Sequence, residues 1–81
     1  MTMTKSRYHQ IISRLVAARQ HAGLSQAQAA SRLGFAGSST ISQYEKGHRR
    51  VDLETFIQLA QIYNVSEAWL LTGTERKSKA D

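Results

Sequence analysis

The sequence predicts an all-α domain, a compact bundle of five helices. Apolar residues recur at helical spacing, the chain has no proline, and four of its five glycines stand where a helix should end. With 81 residues the chain is expected to form one domain. We place that domain at residues 7–73, between a flexible N-terminus (1–6) and a charged, flexible tail (74–81).

The first helix is expected from Arg7 to Ala22. Gly23 then takes the left-handed position that commonly follows a helix end. The inward face of this helix has residues three or four apart, as a buried helical stripe requires. These residues are Tyr8, Ile12, Leu15, Val16 and Arg19.

The second helix is marked by a capping signal. Ser25 followed three residues later by Gln28 forms the pattern of a capping box. The inward residues Ala29 and Ala30 are small, and the helix is expected to stop at Gly34. Small inward side chains allow another helix to approach closely.

Three further helices complete the predicted bundle. The third is expected over Ser39–Lys46, and Asp52 should cap a fourth that ends at Asn64. Ser66 should cap a fifth that runs through Leu71, with Gly73 after it. The apolar stripe predicted for the fourth helix consists of Leu53, Phe56, Ile57, Ala60 and Tyr63.

Composition limits the possible function classes. The formal net charge is +5, from 11 Lys and Arg against 6 Asp and Glu, which fits either a polyanionic partner or a solvated basic surface. The chain has no cysteine, so a disulfide framework is excluded. No apolar run approaches the roughly 18 residues of a membrane span, and no signal-peptide core is present. A cytoplasmic location without membrane contact is therefore expected.

The sequence offers no pattern for catalysis or for a cofactor. His9, His21 and His48 are far apart and have no carboxylate or cysteine at ligand spacing, so no metal site is predicted. Neither a nucleophile elbow nor a glycine-rich phosphate loop is present. The chain is expected not to be an enzyme.

The second and third helices suit insertion into DNA. The major groove is about 12 Å wide and admits one α-helix, which must project from its domain. Small residues where two helices cross, with a glycine in the bend, allow that projection, and Ala29, Ala30 and Gly34 supply them. The expected base-reading residues on the third helix are Ser38, Ser39, Ser42 and Gln43.

These polar residues have plainer interpretations as well. The serines are also ordinary helix-capping residues, and Gln43 is also a common type of solvated surface residue. As a DNA reader, Gln43 would pair with adenine N6 and N7, whereas serine accepts several bases.

A second set of residues is expected to hold phosphates without reading sequence. Gln26 lies at the amino end of the second helix, where a side-chain amide and backbone N–H groups meet an anion. Thr40 lies near the start of the third helix, and Arg49 and Arg50 lie just after its end. The two arginines also suit a purely solubilising loop.

Five short sequence blocks follow one another between about residues 11 and 73. They are R-x-x-x-G-L-S-Q (19–26), A-x-x-L-G (30–34), T-I-S-Q-Y-E-K-G (40–47), D-L-E-T-F (52–56) and V-S-x-x-W-L-L-T-G (65–73). In this order and at nearly the family spacing, the blocks resemble the Cro/CI-type (lambda-repressor-like) helix-turn-helix DNA-binding family. The resemblance implies a five-helix domain that binds operator DNA as a two-fold dimer.

The resemblance also implies roles for individual residues. Gln26 matches a phosphate-clamping glutamine, and Arg19 and Glu45 match a pair that forms an ion bridge between helices one and three. Ser38, Ser39, Ser42 and Gln43 match base-reading positions. The chain departs from the pattern at Gly37, because six residues separate the second helix's glycine from Ile41, where the family has five.

Two functions follow from these observations. The first is a sequence-specific transcriptional regulator, a repressor that binds a near-palindromic double-stranded operator as a homodimer through its third helix. The second is an antitoxin or anti-repressor type of protein-interaction module that uses the same bundle to bind a protein partner.

Overall fold

The computed structural model describes residues 6–74, and in this part of the chain the predicted all-α fold with five helices is confirmed. The predicted flexible ends, 1–6 and 74–81, fall almost wholly outside the described residues. The helices are α1 (Arg7–His21), α2 (Gln26–Leu33), α3 (Ser39–Lys46), α4 (Leu53–Tyr63) and α5 (Glu67–Thr72).

Local signals explain where the helices begin and end. The capping box predicted at α2 is present, with Gln28 N–H donating to Ser25 Oγ at 3.0 Å and Ser25 N–H donating to Gln28 Oε1 at 2.8 Å. Gly34 closes α2 with φ +83°, a left-handed conformation that glycine adopts without a Cβ penalty. Asn64 closes α4 with φ 57°, as predicted.

Asp52 stands at the predicted N-cap position of α4, with the extended backbone of an N-cap residue. Its side chain, however, does not take part in capping, because it accepts no capping hydrogen bond. Ser38 precedes α3 with helical backbone angles and likewise makes no side-chain cap. Ser66 does cap α5, because its Oγ accepts from Trp69 N–H at 2.9 Å.

The predicted apolar stripe of α4 is wrong at two positions. Leu53 is 74% exposed and Ile57 is 38% exposed, whereas Leu59 is buried. Leu53 occupies the first turn of α4, and Ile57 lies at the edge of the face formed by residues 56, 59, 60 and 63. Helical spacing identifies that face, but burial at its ends and edges depends on the neighbouring helices.

The core lies where α1 packs against α3, α4 and α5, and where α2 packs against α3 and α4. Ala29 and Ala30 are completely or almost completely buried, so the small residues of α2 do lie at its helix contacts. Arg14 of α1 donates to the Leu70 carbonyl at 2.9 Å, which ties α1 to α5. None of the helices within residues 6–74 is long and apolar enough to span a membrane.

Candidate nucleic-acid interface

Helix α3 packs against the rest of the domain with one face and exposes the opposite face to solvent. Ile41 and Tyr44, three residues apart, are buried in the core. Ser39 and Gln43 are exposed, and Ser42 is half-buried. Since α3 packs against both α1 and α2, its polar side is held in a fixed orientation on the domain surface.

The structure brings five of the predicted site residues around one cleft between α2 and α3. Its polar lining offers hydroxyl and amide groups that both donate and accept hydrogen bonds. Gln26 lies at the start of α2, where the sequence placed it. The predicted residues that line the cleft are Gln26, Ser38, Ser39, Ser42 and Gln43.

Lys46 and His48 also line this cleft and were missed as site residues. Lys46 follows Gln43 by three residues and Ser42 by four, so helical spacing alone was sufficient to place it on the same face. His48 lies in the loop after α3, where no periodic signal applies. Lys46 adds a positive charge to a face that is otherwise neutral and polar.

The other predicted phosphate-binding residues do not line the cleft. Thr40 is half-buried on α3, and Arg49 is exposed in the loop that follows it. Arg50 is exposed as well, but its guanidinium carbon lies 4.2 Å from the centroid of the Tyr8 ring. That distance is typical of a cation–π contact.

Tyr8 fixes the loop after α3 in a second way. Its hydroxyl oxygen accepts a hydrogen bond from Val51 N–H at 3.0 Å. The ring and the hydroxyl together attach the loop to the first turn of α1, 43 residues earlier in the chain. No sequence pattern predicts this contact, because tyrosine in an apolar stripe indicates only burial.

Arg19 and Glu45 form a two-point ion pair between α1 and α3. Arg19 Nε lies 2.7 Å from Glu45 Oε2, and Arg19 Nη2 lies 3.1 Å from Glu45 Oε1. Each side chain is 12% exposed. The hydrogen bonds to Glu45 raise the pKa of Arg19 above its ordinary value. Arg19 Nη1 also donates to the Leu24 carbonyl at 2.9 Å, which joins the loop before α2 to this pair.

The ion pair has a further partner that the sequence did not predict. Gln26 Nε2 donates to Glu45 Oε1 at 2.9 Å, so one carboxylate joins α1, α2 and α3. Nineteen residues separate Gln26 from Glu45, and no local pattern links two polar side chains over that distance. Tyr63 of α4 is buried nearby. Its burial, with a smaller effect from the charge of Glu45, raises its pKa to about 12.

The sequence profile of the helix-turn-helix family matches residues 15–70 of this chain, which include α2, the turn and α3. The chain belongs to the helix-turn-helix family. It is also 42% identical over 66 residues to the HTH-type transcriptional regulator ImmR of Bacillus subtilis (strain 168). The match covers 82% of this chain and 50% of ImmR, so the chain spans about half the length of this curated relative.

Membership of the helix-turn-helix family confirms the resemblance seen in the five sequence blocks. It also accounts for the pairing of a short α2 with an outward-facing α3. Within residues 6–74, no group of three or more metal-binding side chains is placed to hold an ion.

Proposed function

We propose that this chain is a sequence-specific DNA-binding transcription regulator that places α3 in the major groove. The observation that carries the proposal is the polar side of α3, which faces outward beside the amino end of α2 in a helix-turn-helix domain. An α-helix fits the major groove, and the groove presents a distinct donor and acceptor pattern for each base pair.

Gln43 is the strongest candidate for base reading. Its side chain is exposed, and an amide pairs with the N6 and N7 atoms of adenine through two hydrogen bonds. Ser38, Ser39 and Ser42 would add contacts that tolerate several bases. A good two-point contact discriminates against the wrong base by about 1–3 kcal/mol, so Gln43 would dominate the preference.

Phosphate contacts would set the register of α3 on the duplex. Gln26, Thr40, Arg49 and Arg50 are proposed for this role, with Lys46 added from the structure. Stacking on Tyr8 occupies the face of the Arg50 guanidinium and leaves its edge donors available to a phosphate. The Tyr8 contact is therefore compatible with DNA binding by Arg50.

The regulator is proposed to bind a near-palindromic operator as a homodimer, with half-sites about 34 Å apart. Leu53 and Leu71 are 74% and 43% exposed and line an apolar groove of about 280 Å³ between α1, α4 and α5. A two-fold contact between copies across this groove would remove its apolar lining from water.

Repression is the proposed regulatory outcome. A dimer bound across a promoter would occupy the surface that RNA polymerase needs. A reporter gene placed behind the selected operator tests this directly. Expression should fall when the chain is supplied, and a rise would show activation instead.

The test of DNA binding is a selection of the full chain against random duplexes at moderate salt. We expect enrichment of a near-palindromic site whose half-sites are one helical turn apart. A single asymmetric half-site would support DNA reading and contradict the dimer. No enrichment, together with retention of a specific protein partner, would replace the regulator by the antitoxin or anti-repressor type of interaction module.

A further inference from the structure

The geometry points to Glu45 as a positioning residue that orients the amide of Gln26 toward a DNA phosphate, with Arg19 holding Glu45 in place. This inference rests on the proposed DNA-binding function. It gives the ion pair of α1 and α3 a role in DNA contact besides its role in stability.

The orientation follows from which groups donate hydrogen bonds. An ionised carboxylate only accepts, so Gln26 must turn its amide nitrogen toward Glu45. That nitrogen carries two hydrogens, and one of them is given to Glu45 Oε1 at 2.9 Å. A phosphate oxygen also only accepts. The second hydrogen of the same nitrogen is therefore the side-chain donor left for DNA, and the bond to Glu45 fixes its direction.

Glu45 is itself held rigidly enough to serve as this reference point. Arg19 binds both of its carboxylate oxygens, at 2.7 and 3.1 Å, and also binds the Leu24 carbonyl at 2.9 Å. With both side chains 12% exposed, solvent competes weakly for these bonds. The positive charge of Arg19 also offsets the carboxylate charge, which would otherwise repel a phosphate near Gln26.

Removing Glu45 would let the Gln26 amide rotate. Some of its orientations would then present the carbonyl oxygen to the phosphate, and two acceptors would face each other. The Gln26 amide would also lose its rotational freedom only when DNA binds, and that loss of entropy would lower the affinity. Glu45 would thus act on DNA through Gln26 and not through a contact of its own.

The test uses variants that avoid leaving a buried charge unpaired. Arg19→Met/Glu45→Met replaces the ion pair by apolar side chains of similar length, a change that many proteins tolerate. Gln26→Met removes the proposed phosphate contact, and a third variant combines all three substitutions. Arg14→Met is the matched control, since it also removes an α1 arginine contact but at the α5 end of the domain.

Affinity for the selected operator is measured for the full chain at a temperature where melting curves show every variant folded. Gln26→Met should weaken binding by about 10- to 100-fold, as expected for a hydrogen bond to a charged group. The Arg19→Met/Glu45→Met change should weaken binding when Gln26 is present and have no further effect once Gln26 is methionine.

Phosphate ethylation interference identifies the contact itself. In the wild type, ethylation of the phosphate that faces Gln26 should weaken binding. That single interference should disappear in both Gln26→Met and Arg19→Met/Glu45→Met, while Arg14→Met should keep it. A merely structural ion pair would lower stability without erasing one phosphate from the pattern.

A measurement on the unmodified protein covers the case in which the paired variant fails to fold. Side-chain ¹⁵N relaxation of free wild type should show the Gln26 amide to be nearly as rigid as the backbone, and a freely mobile amide would overturn the inference. Additive affinity losses or an unchanged interference pattern would overturn it too, while operator binding by the wild type leaves the proposed function intact. If the wild type selects no DNA site, both proposals fail together.

Discussion

Neighbouring side chains on α3 point in different directions and are expected to differ in what they do. Gln43 is exposed on the outward side, whereas Glu45, two residues later, is 12% exposed and bonded to α1 and α2. The outward position of Gln43 could be predicted from helical spacing alone. The joint bonding of Glu45 to Arg19 and Gln26 could not, because it depends on how three helices are packed.

Gln43→Ala is expected to relax base preference at one operator position. Loss of a two-point base contact should remove about 1–3 kcal/mol of discrimination there and leave non-specific binding nearly unchanged. Competition assays with operators mutated at single positions measure this. Gln58→Ala, which removes an exposed glutamine from α4, is the control, and an equal loss on all sequences would contradict base reading by Gln43.

Glu45→Ala is expected to lower the free energy of unfolding by about 2–4 kcal/mol. The change strands the Arg19 charge in a largely buried position and removes three hydrogen bonds. Urea unfolding measures the loss. Arg19→Met/Glu45→Met should be much less destabilised than Glu45→Ala, and equal losses for the two variants would argue against stranded charge as the cause.

At the scale of elements, helix ends were predictable from sequence, whereas exposure at the ends and edges of a helix face was not. Ser25 with Gln28, Gly34 and Asn64 act through bonds to nearby backbone, so a short stretch of sequence specifies them. Leu53 looked like a core residue and is 74% exposed, because burial in the first turn of α4 depends on where other helices stop. The turn between α2 and α3 depends both on local backbone conformation and on how the helices around it pack.

Two glycines in that turn are expected to respond oppositely to alanine. Gly34 has φ +83° and open space around its missing Cβ, so Gly34→Ala should cost about 1–2 kcal/mol from backbone strain alone. Gly37 has equal space without a left-handed φ. Gly37→Ala should therefore raise the free energy of unfolding by about 0.4–1 kcal/mol, because alanine lowers the conformational entropy of the unfolded chain. Thermal melts of the pair test this, and destabilisation by Gly37→Ala would show that the extra turn residue needs glycine.

At the scale of the whole molecule, charge and burial govern how the protein responds to its solvent. The net charge of +5 could be counted from the sequence, but the positions of individual charges relative to the cleft required the fold. Lys46 lines the cleft and Arg50 is exposed in the loop that follows α3, whereas Arg14 donates to the Leu70 carbonyl of α5. Only charges near the DNA backbone should affect the salt dependence of binding.

Arg50→Ala is expected to weaken binding to all sequences alike. If Arg50 contacts one phosphate, the slope of log K against log salt should become shallower by about 0.9. Fluorescence titrations across a salt series measure that slope. Arg14→Ala provides the control, since its guanidinium is bonded to the Leu70 carbonyl, and a slope unchanged in Arg50→Ala would leave Arg50 only its contact with Tyr8.

Stability should fall steeply in alkaline solution because of Tyr63. Burial raises its pKa from the ordinary value of 10.0 to about 12, so between these values the unfolded chain releases the phenol proton while the folded chain retains it. The contribution of Tyr63 to the free energy of unfolding is therefore complete below pH 10 and declines as pH rises toward 12. At about 1.4 kcal/mol per pKa unit, the loss approaches roughly 2–3 kcal/mol.

Urea unfolding of wild type and Tyr63→Phe from pH 7 to pH 11.5 isolates this group from the other titrating residues. Tyr63→Phe keeps the buried ring and has no phenol proton to release, so its stability should decline less steeply above pH 10. Relative to wild type, the unfolding free energy of Tyr63→Phe should therefore increase as pH rises. Parallel pH profiles would mean that folding does not change the pKa of Tyr63, and that the packing of α4 against the Arg19–Glu45 pair is looser than its burial indicates.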